Sequence, residues 1–108
     1  MILSLTFDDK SFDVDVPDAL IKDAEDFYQK MDADMDKGWQ LSREWVSHPT
    51  IEQRCQVVAD KILDAFNDQK EDMIILFSGY ILSRIPECKK VVIDTSGDIS
   101  QSQLFVDA

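Results

Sequence analysis

The chain has 108 residues, 44% of them hydrophobic, with 22 acidic and 11 basic side chains and a net charge of −11. That length and apolar content suit a single domain with one core and exclude a disordered chain. The negative charge repels phosphate, which argues against direct nucleic-acid binding and anionic membrane surfaces and leaves a basic protein partner, a divalent cation or simple solubility.

Residues 1–38 hold eleven of the acids and four of the bases, so the acidic surface belongs to the first third of the chain. Two cysteines, Cys55 and Cys88, are too far apart for a structural zinc pair. MILSLTFDD lacks the basic opening of a signal peptide, and no apolar run is long enough to span a bilayer. A cytoplasmic protein with reduced thiols is expected.

In chain order, residues 1–16 predict a β-hairpin. Leu3, Leu5 and Phe7 alternate with Ser4 and Thr6; after Asp8-Asp9-Lys10, Phe12, Val14 and Val16 alternate with Asp13 and Asp15. One sheet face is then apolar and the other carries carboxylates. Pro17 and Asp18 open an amphipathic helix over about 18–36, whose stripe is Leu20, Ala24, Phe27, Met31 and Met35, with Ile21 and Tyr28 alongside. Gly38 is a plausible stop. Trp39, Leu41, Trp45 and Val46 could nevertheless carry the stripe on, so a helix broken or kinked near Gly38 is expected.

Pro49 marks the next boundary. Ile51, Cys55, Val58, Ile62 and Phe66 then line one face of a helix, widened by Ala59, Leu63 and Ala65. Asp68 and Glu71 read as an acidic capping box for the following run, Met73 to Ile85, which is apolar on nearly every side. This run is the expected central helix, antiparallel to the one before it, with Ser78, Gly79 and Ser83 admitting a close neighbour. Val91–Thr95 reads as a strand, and the tail from about 99 either returns as a second strand or stays mobile. The expected fold is α+β: an N-terminal β-hairpin, three helices organised around the apolar helix at about 73–85, and one or two C-terminal strands completing a small antiparallel sheet.

One acidic cluster has metal-ligand spacing. Asp32, Asp34 and Asp36 stand at the first, third and fifth places of a thirteen-residue stretch that ends in Gly38 and Glu44, each one place late. It resembles an EF-hand calcium loop, and the resemblance implies Asp32, Asp34, Asp36 and Glu44 as ligands. The departures are Arg43, where the bidentate carboxylate belongs, and Trp39, where an aliphatic residue belongs. The alternative is a helix with a solvated acidic face and Met31 and Met35 turned inward.

Catalytic signals are sparse. His48 has no evident partner, Cys55 falls in an apolar stripe, and Cys88 precedes Lys89 and Lys90, which would lower its pKa. Gly38, Gly79 and Gly97 form no phosphate-cradling loop. No cofactor is implied. The expected function is a non-enzymatic protein-interaction or assembly module, with a protein partner or a second copy, contacting through Trp39, Arg43, Trp45 and Phe105. The alternatives are an acidic decoy that mimics nucleic-acid phosphates for a basic partner, and the calcium site.

Overall fold

A computed structural model describes residues 1–106. Strands β1 (Ile2–Phe7) and β2 (Lys10–Asp15) form the expected hairpin. Asp8 and Asp9 make its two-residue turn with φ of 52° and 60°, a left-handed pair that aspartate tolerates and that matches the twist of the strands. Two short strands follow at the far end of the chain, β5 (Lys90–Val92) and β6 (Gln103–Phe105), and the sheet order is β2-β1-β5-β6. The fold is α+β as expected, but the sheet is mixed. β5 lies parallel to β1, because the chain reaches it by a helical crossover rather than a turn. The tail supplies β6, antiparallel to β5, after a 3₁₀ turn at Ile99–Gln101; of the tail, residues 107–108 lie outside the described residues.

Alternation assigns the two sheet faces. Leu3, Leu5 and Val91 are fully buried beneath the helices, whereas Asp13, Lys90, Gln103 and Phe105 lie on the other side, in solvent.

The expected helix over 18–36 is two helices, α1 (Asp18–Asp23) and α2 (Glu25–Asp36), joined at Ala24 with φ −90° and ψ 4°. The bend resets the helical phase. Leu20 and Ile21 of α1 pack against the core, while α2 turns Tyr28, Met31 and Met35 inward and leaves Phe27 39% exposed. Gly38, at φ +100°, ends the helical path outright. Trp39–Val46 does not continue the helix. It forms a small hairpin, β3 (Trp39–Leu41) and β4 (Glu44–Val46). Period-two and period-3.6 patterns cannot be separated over so short a run, and the positive φ at Gly38 decides the issue.

Helix α3 (Ile51–Asn67) starts at Thr50, whose side chain accepts from the Gln53 N–H at 3.1 Å while the Gln53 side chain accepts from the Thr50 N–H at 2.9 Å. This reciprocal cap replaces the one expected at Asp68/Glu71; Asp68 instead ends α3, and α4 begins without a side-chain cap. Ile51, at the first turn, is 56% exposed rather than part of the buried stripe.

Helix α4 (Glu71–Arg84) is the central helix that the sequence predicts. It packs along α3, and α1 and β2 also lie against it. With 14 residues it is short of a bilayer's thickness, and no helix among the described residues is long and apolar enough to cross a membrane. Gly79 is the point of closest approach: a Cβ there would collide with the Tyr28 hydroxyl and sit 3.4 Å from Val16 Cγ1. The same hydroxyl donates to the Leu76 carbonyl at 2.7 Å, so α2 is pinned to the α4 backbone where a side chain is missing.

Gly79→Ala is therefore expected to lower unfolding free energy by about 1–3 kcal/mol, although alanine is the better helix former. Combining it with Tyr28→Phe should cost less than the two single changes summed, as read from urea denaturation. Ser78 is fully buried, and its hydroxyl has no hydrogen-bond partner among the described residues. Ser78→Ala should stabilise the protein by about 1 kcal/mol in the same assay.

Candidate interaction surface

A concavity lies between strand β2 and the start of α4. Phe12 and Phe66 build its wall, with Phe7 packed against both. Phe7 stacks on Phe12 at 5.5 Å between ring centroids, and Phe66 tilts against each of them at 5.0 Å. Phe12 keeps 37% of its surface exposed. Ile74 and Ile75 of α4 continue the apolar lining, and Glu71 stands at the rim. Gln69, at φ 57°, turns the chain from α3 into α4 and closes the end beside Phe66.

The groove runs along a sheet edge that no strand among the described residues covers. The hydrogen-bond phase of that edge follows from its ends. The Met1 amino group donates to the Val16 carbonyl at 2.8 Å, and the Val16 N–H donates to the Met1 carbonyl at 2.7 Å. In an antiparallel ladder such mutually bonded pairs alternate, so Val14 and Phe12 also face β1 with their backbone groups. Ser11, Asp13 and Asp15 therefore point their N–H and C=O outward, along the open edge. Their side chains lie on the solvent face, and those of Phe12 and Val14 point into the groove.

The residues that the sequence singles out lie elsewhere. Trp39 and Trp45 leave opposite faces of the β3–β4 hairpin, because Trp39 pairs with Val46 and Trp45 with Gln40. Trp39 is half-buried with the Lys61 ammonium 5.2 Å from its ring centroid. Trp45 is 59% exposed, its ring lying over Gly38, where any Cβ would strike it. Arg43 is exposed in the hairpin turn, and Phe105 is on the outer sheet face beneath the Lys90 ammonium at 5.6 Å. The groove itself was accessible from sequence only as its inward-facing hairpin residues. Nothing local marks Phe66 and Ile74 as its opposite wall, since that contact joins separate elements.

Asp32, Asp34 and Asp36 lie within α2, not in a loop, and Glu44 is exposed on β4. Among the described residues no three His, Cys, Asp or Glu side chains converge as a metal site. Asp32 and Asp36 have cationic partners instead. Arg84 spans two carboxylates, donating to Glu25 at 2.7 and 3.1 Å and to Asp32 at 2.7 and 3.1 Å. Arg54 reaches Asp32 at 3.3 Å, bonds Asp36, and is itself braced by the Pro49 carbonyl at 2.9 Å. The Tyr80 hydroxyl donates to the second Asp32 oxygen. Burial works to raise the Asp32 pKa, but Tyr80, Arg84 and Arg54 outweigh it and hold the carboxyl below its ordinary range. Hydrogen bonding to Arg84 does the same for Glu25.

Cys55 is buried in the apolar stripe where the sequence puts it, and Cys88 is not the reactive group that Lys89 and Lys90 suggest. Cys88 is 1% exposed, its Sγ directed at the Lys90 carbonyl, and burial raises its pKa; burial pushes Cys55 up to about 12. His48 is exposed in the connection before α3.

A carboxyl whose folded pKa is depressed stabilises the fold above its unfolded pKa, and that contribution disappears as pH falls through the lower folded value. Asp32→Asn should therefore be less stable than wild type at pH 7 by on the order of 2–3 kcal/mol, given that one partner of a mostly shielded cluster is lost. The gap should close below about pH 4, as read from urea midpoints across the acid range. The chain matches no protein-family model, no curated protein and no solved structure.

Proposed function

We propose that the protein is a non-enzymatic interaction module that captures an extended polypeptide segment along β2. The observation that carries this reading is the coincidence of two features on one strand. The outward backbone groups of Ser11, Asp13 and Asp15 offer main-chain hydrogen bonds, and the groove beside them offers an apolar floor at Phe12, Phe66 and Ile74. Strand addition uses this combination: the backbone ladder gives binding and a pocket for every second side chain gives selectivity. Phe12 suits the role of an anchor, since it is exposed yet held in place by two other rings.

A second copy is a poor occupant of the same edge. Pairing β2 with β2 would place Asp13 and Asp15 beside their own counterparts, and like charges across a ladder are destabilising. The decoy reading requires a continuous negative ridge. The acids of the first third are instead divided among the hairpin turn, the outer sheet face, α1 and α2, and Glu25, Asp32 and Asp36 are engaged by arginines.

Panning a random peptide library displayed on phage against the full chain tests the reading. Clones should bind in a manner that depends on the edge. Proline at position 13 removes one outward N–H without a side-chain clash, since edge strands accept proline where the N–H faces solvent. Asp13→Pro should weaken the clones at least tenfold beyond Asp13→Asn, which loses the same charge and keeps the N–H. Failure to recover any clone with this dependence, with both variants shown to be folded by thermal melting, would sink the proposal.

A further inference from the structure

The occupant of the β2 edge can be described more closely; this inference rests on the strand-capture reading above. A strand added to β2 continues the pleat of the sheet. Its residues opposite Phe12 and Val14 point into the groove, and those opposite Asp13 and Asp15 point to the solvent face. The first set meets Phe12, Phe66, Ile74 and Ile75. The second set lies beside two exposed carboxylates: Asp13, which pairs with Ser4 and has no basic neighbour there, and Asp15, which pairs with Ile2 and has the Met1 amino group at 3.9 Å. The α4 rim adds Glu71 and Asp72 against the single base Lys70. Asp13, Asp15, Glu71 and Asp72 border the middle of the track that the incoming backbone would follow; the cations are Lys70, Lys10 at the turn end of β2 and the Met1 amino group at its other end.

We infer that the β2 edge selects an extended segment in which lysine or arginine alternates with large apolar residues, the basic residues flanking Asp13 and Asp15 and the apolar ones entering the Phe12–Phe66 groove. Cross-strand pairs of opposite charge favour such a segment, and the same carboxylates reject acidic strands and further copies of this chain. The attraction acts between exposed charges, so it weakens with salt while the apolar contacts persist.

The selected phage clones supply the test. Their sequences should show a basic–apolar alternation over four or more positions. Synthetic peptides made from them should lose affinity at least fivefold between 50 and 300 mM salt, judged on the scale of screening for exposed charges. A chain carrying Asp13→Lys and Asp15→Lys, both at exposed positions, should bind those peptides at least tenfold more weakly. Panned afresh, it should enrich aspartate and glutamate at the same alternate places. Edge-dependent clones with no alternating basic residues, or clones indifferent to the double charge reversal, would overturn this inference and leave strand capture standing. Recovery of no edge-dependent clone would instead remove strand capture itself, and this inference with it.

Discussion

Arg84 and the carboxylates around it fix where α2 stands, and the rest of the helical layer is arranged on that. Helix α2 meets its neighbours through long side chains rather than close backbone contact: Tyr28 reaches α4 at Gly79 and Leu76, and Tyr28 and Tyr80 meet edge to face at 5.7 Å. The Tyr28–Leu76 hydrogen bond holds α2 at one point and leaves it free to pivot there. Directional bonds from Arg84 to Glu25 and Asp32, and from Arg54 to Asp32 and Asp36, restrict that freedom because each needs one geometry. Both arginine side chains are only 15% exposed. An unpaired charge so shielded is costly, so alternative positions of α2 that strand either guanidinium are disfavoured. Arg84 also lies 5.0 Å over the Tyr80 ring, which ties the charge cluster to the aromatic one.

Much of this architecture was legible in the sequence, and the parts that were not have a common cause. The β1–β2 hairpin and α3 announce themselves by periodicity over six or more residues, and α4 by the length of an apolar run that has no periodicity of its own. Gly79 stood out as a close-approach position because glycine in an apolar helix usually has a packing reason. Misreadings occurred where a few residues or a distant partner decided the outcome. Three residues either side of a turn could not reveal β3 and β4 while Trp39, Leu41, Trp45 and Val46 also fitted a helical stripe. Thr50 and Gln53 form a box with the same spacing as Asp68 and Glu71, and Pro49 beside Thr50 marks the same boundary. Cys88 looks cation-activated because Lys89 and Lys90 follow it; in the fold both lysines are exposed, whereas the thiol just before β5 turns into the core.

The acidic spacing at Asp32, Asp34 and Asp36 shows the same limit in sharper form. Spacing of two suits a loop that wraps a cation, and it also arises on a helix that turns Met31 and Met35 inward and leaves the positions around them to polar or small residues at the surface. What distinguishes the two is the presence of Arg54 and Arg84, eighteen or more residues away in sequence. Their arrival turns Asp32 from a candidate ligand into the hub of an ion-pair cluster. Three of the eleven acids of the first third are thereby committed to structure.

The acids left over acquire a different meaning at β2. An uncovered sheet edge is a hazard that proteins manage with charges, and Asp13 and Asp15 fit that protective role. Protection alone does not account for the groove. A strand guarded simply against aggregation has no need of an exposed phenylalanine wall on its other face, yet Phe12 is held open to solvent by Phe7 and Phe66. Exposed ion pairs are worth about 0–1 kcal/mol each, too little to bind a segment by themselves. Affinity at such an edge has to come from the backbone ladder and the apolar pocket, while the carboxylates govern which strands arrive and which are turned away. On this division of labour the high negative charge of the chain is not the binding force. In the strand-capture proposal it serves as a filter on the strands that reach the groove.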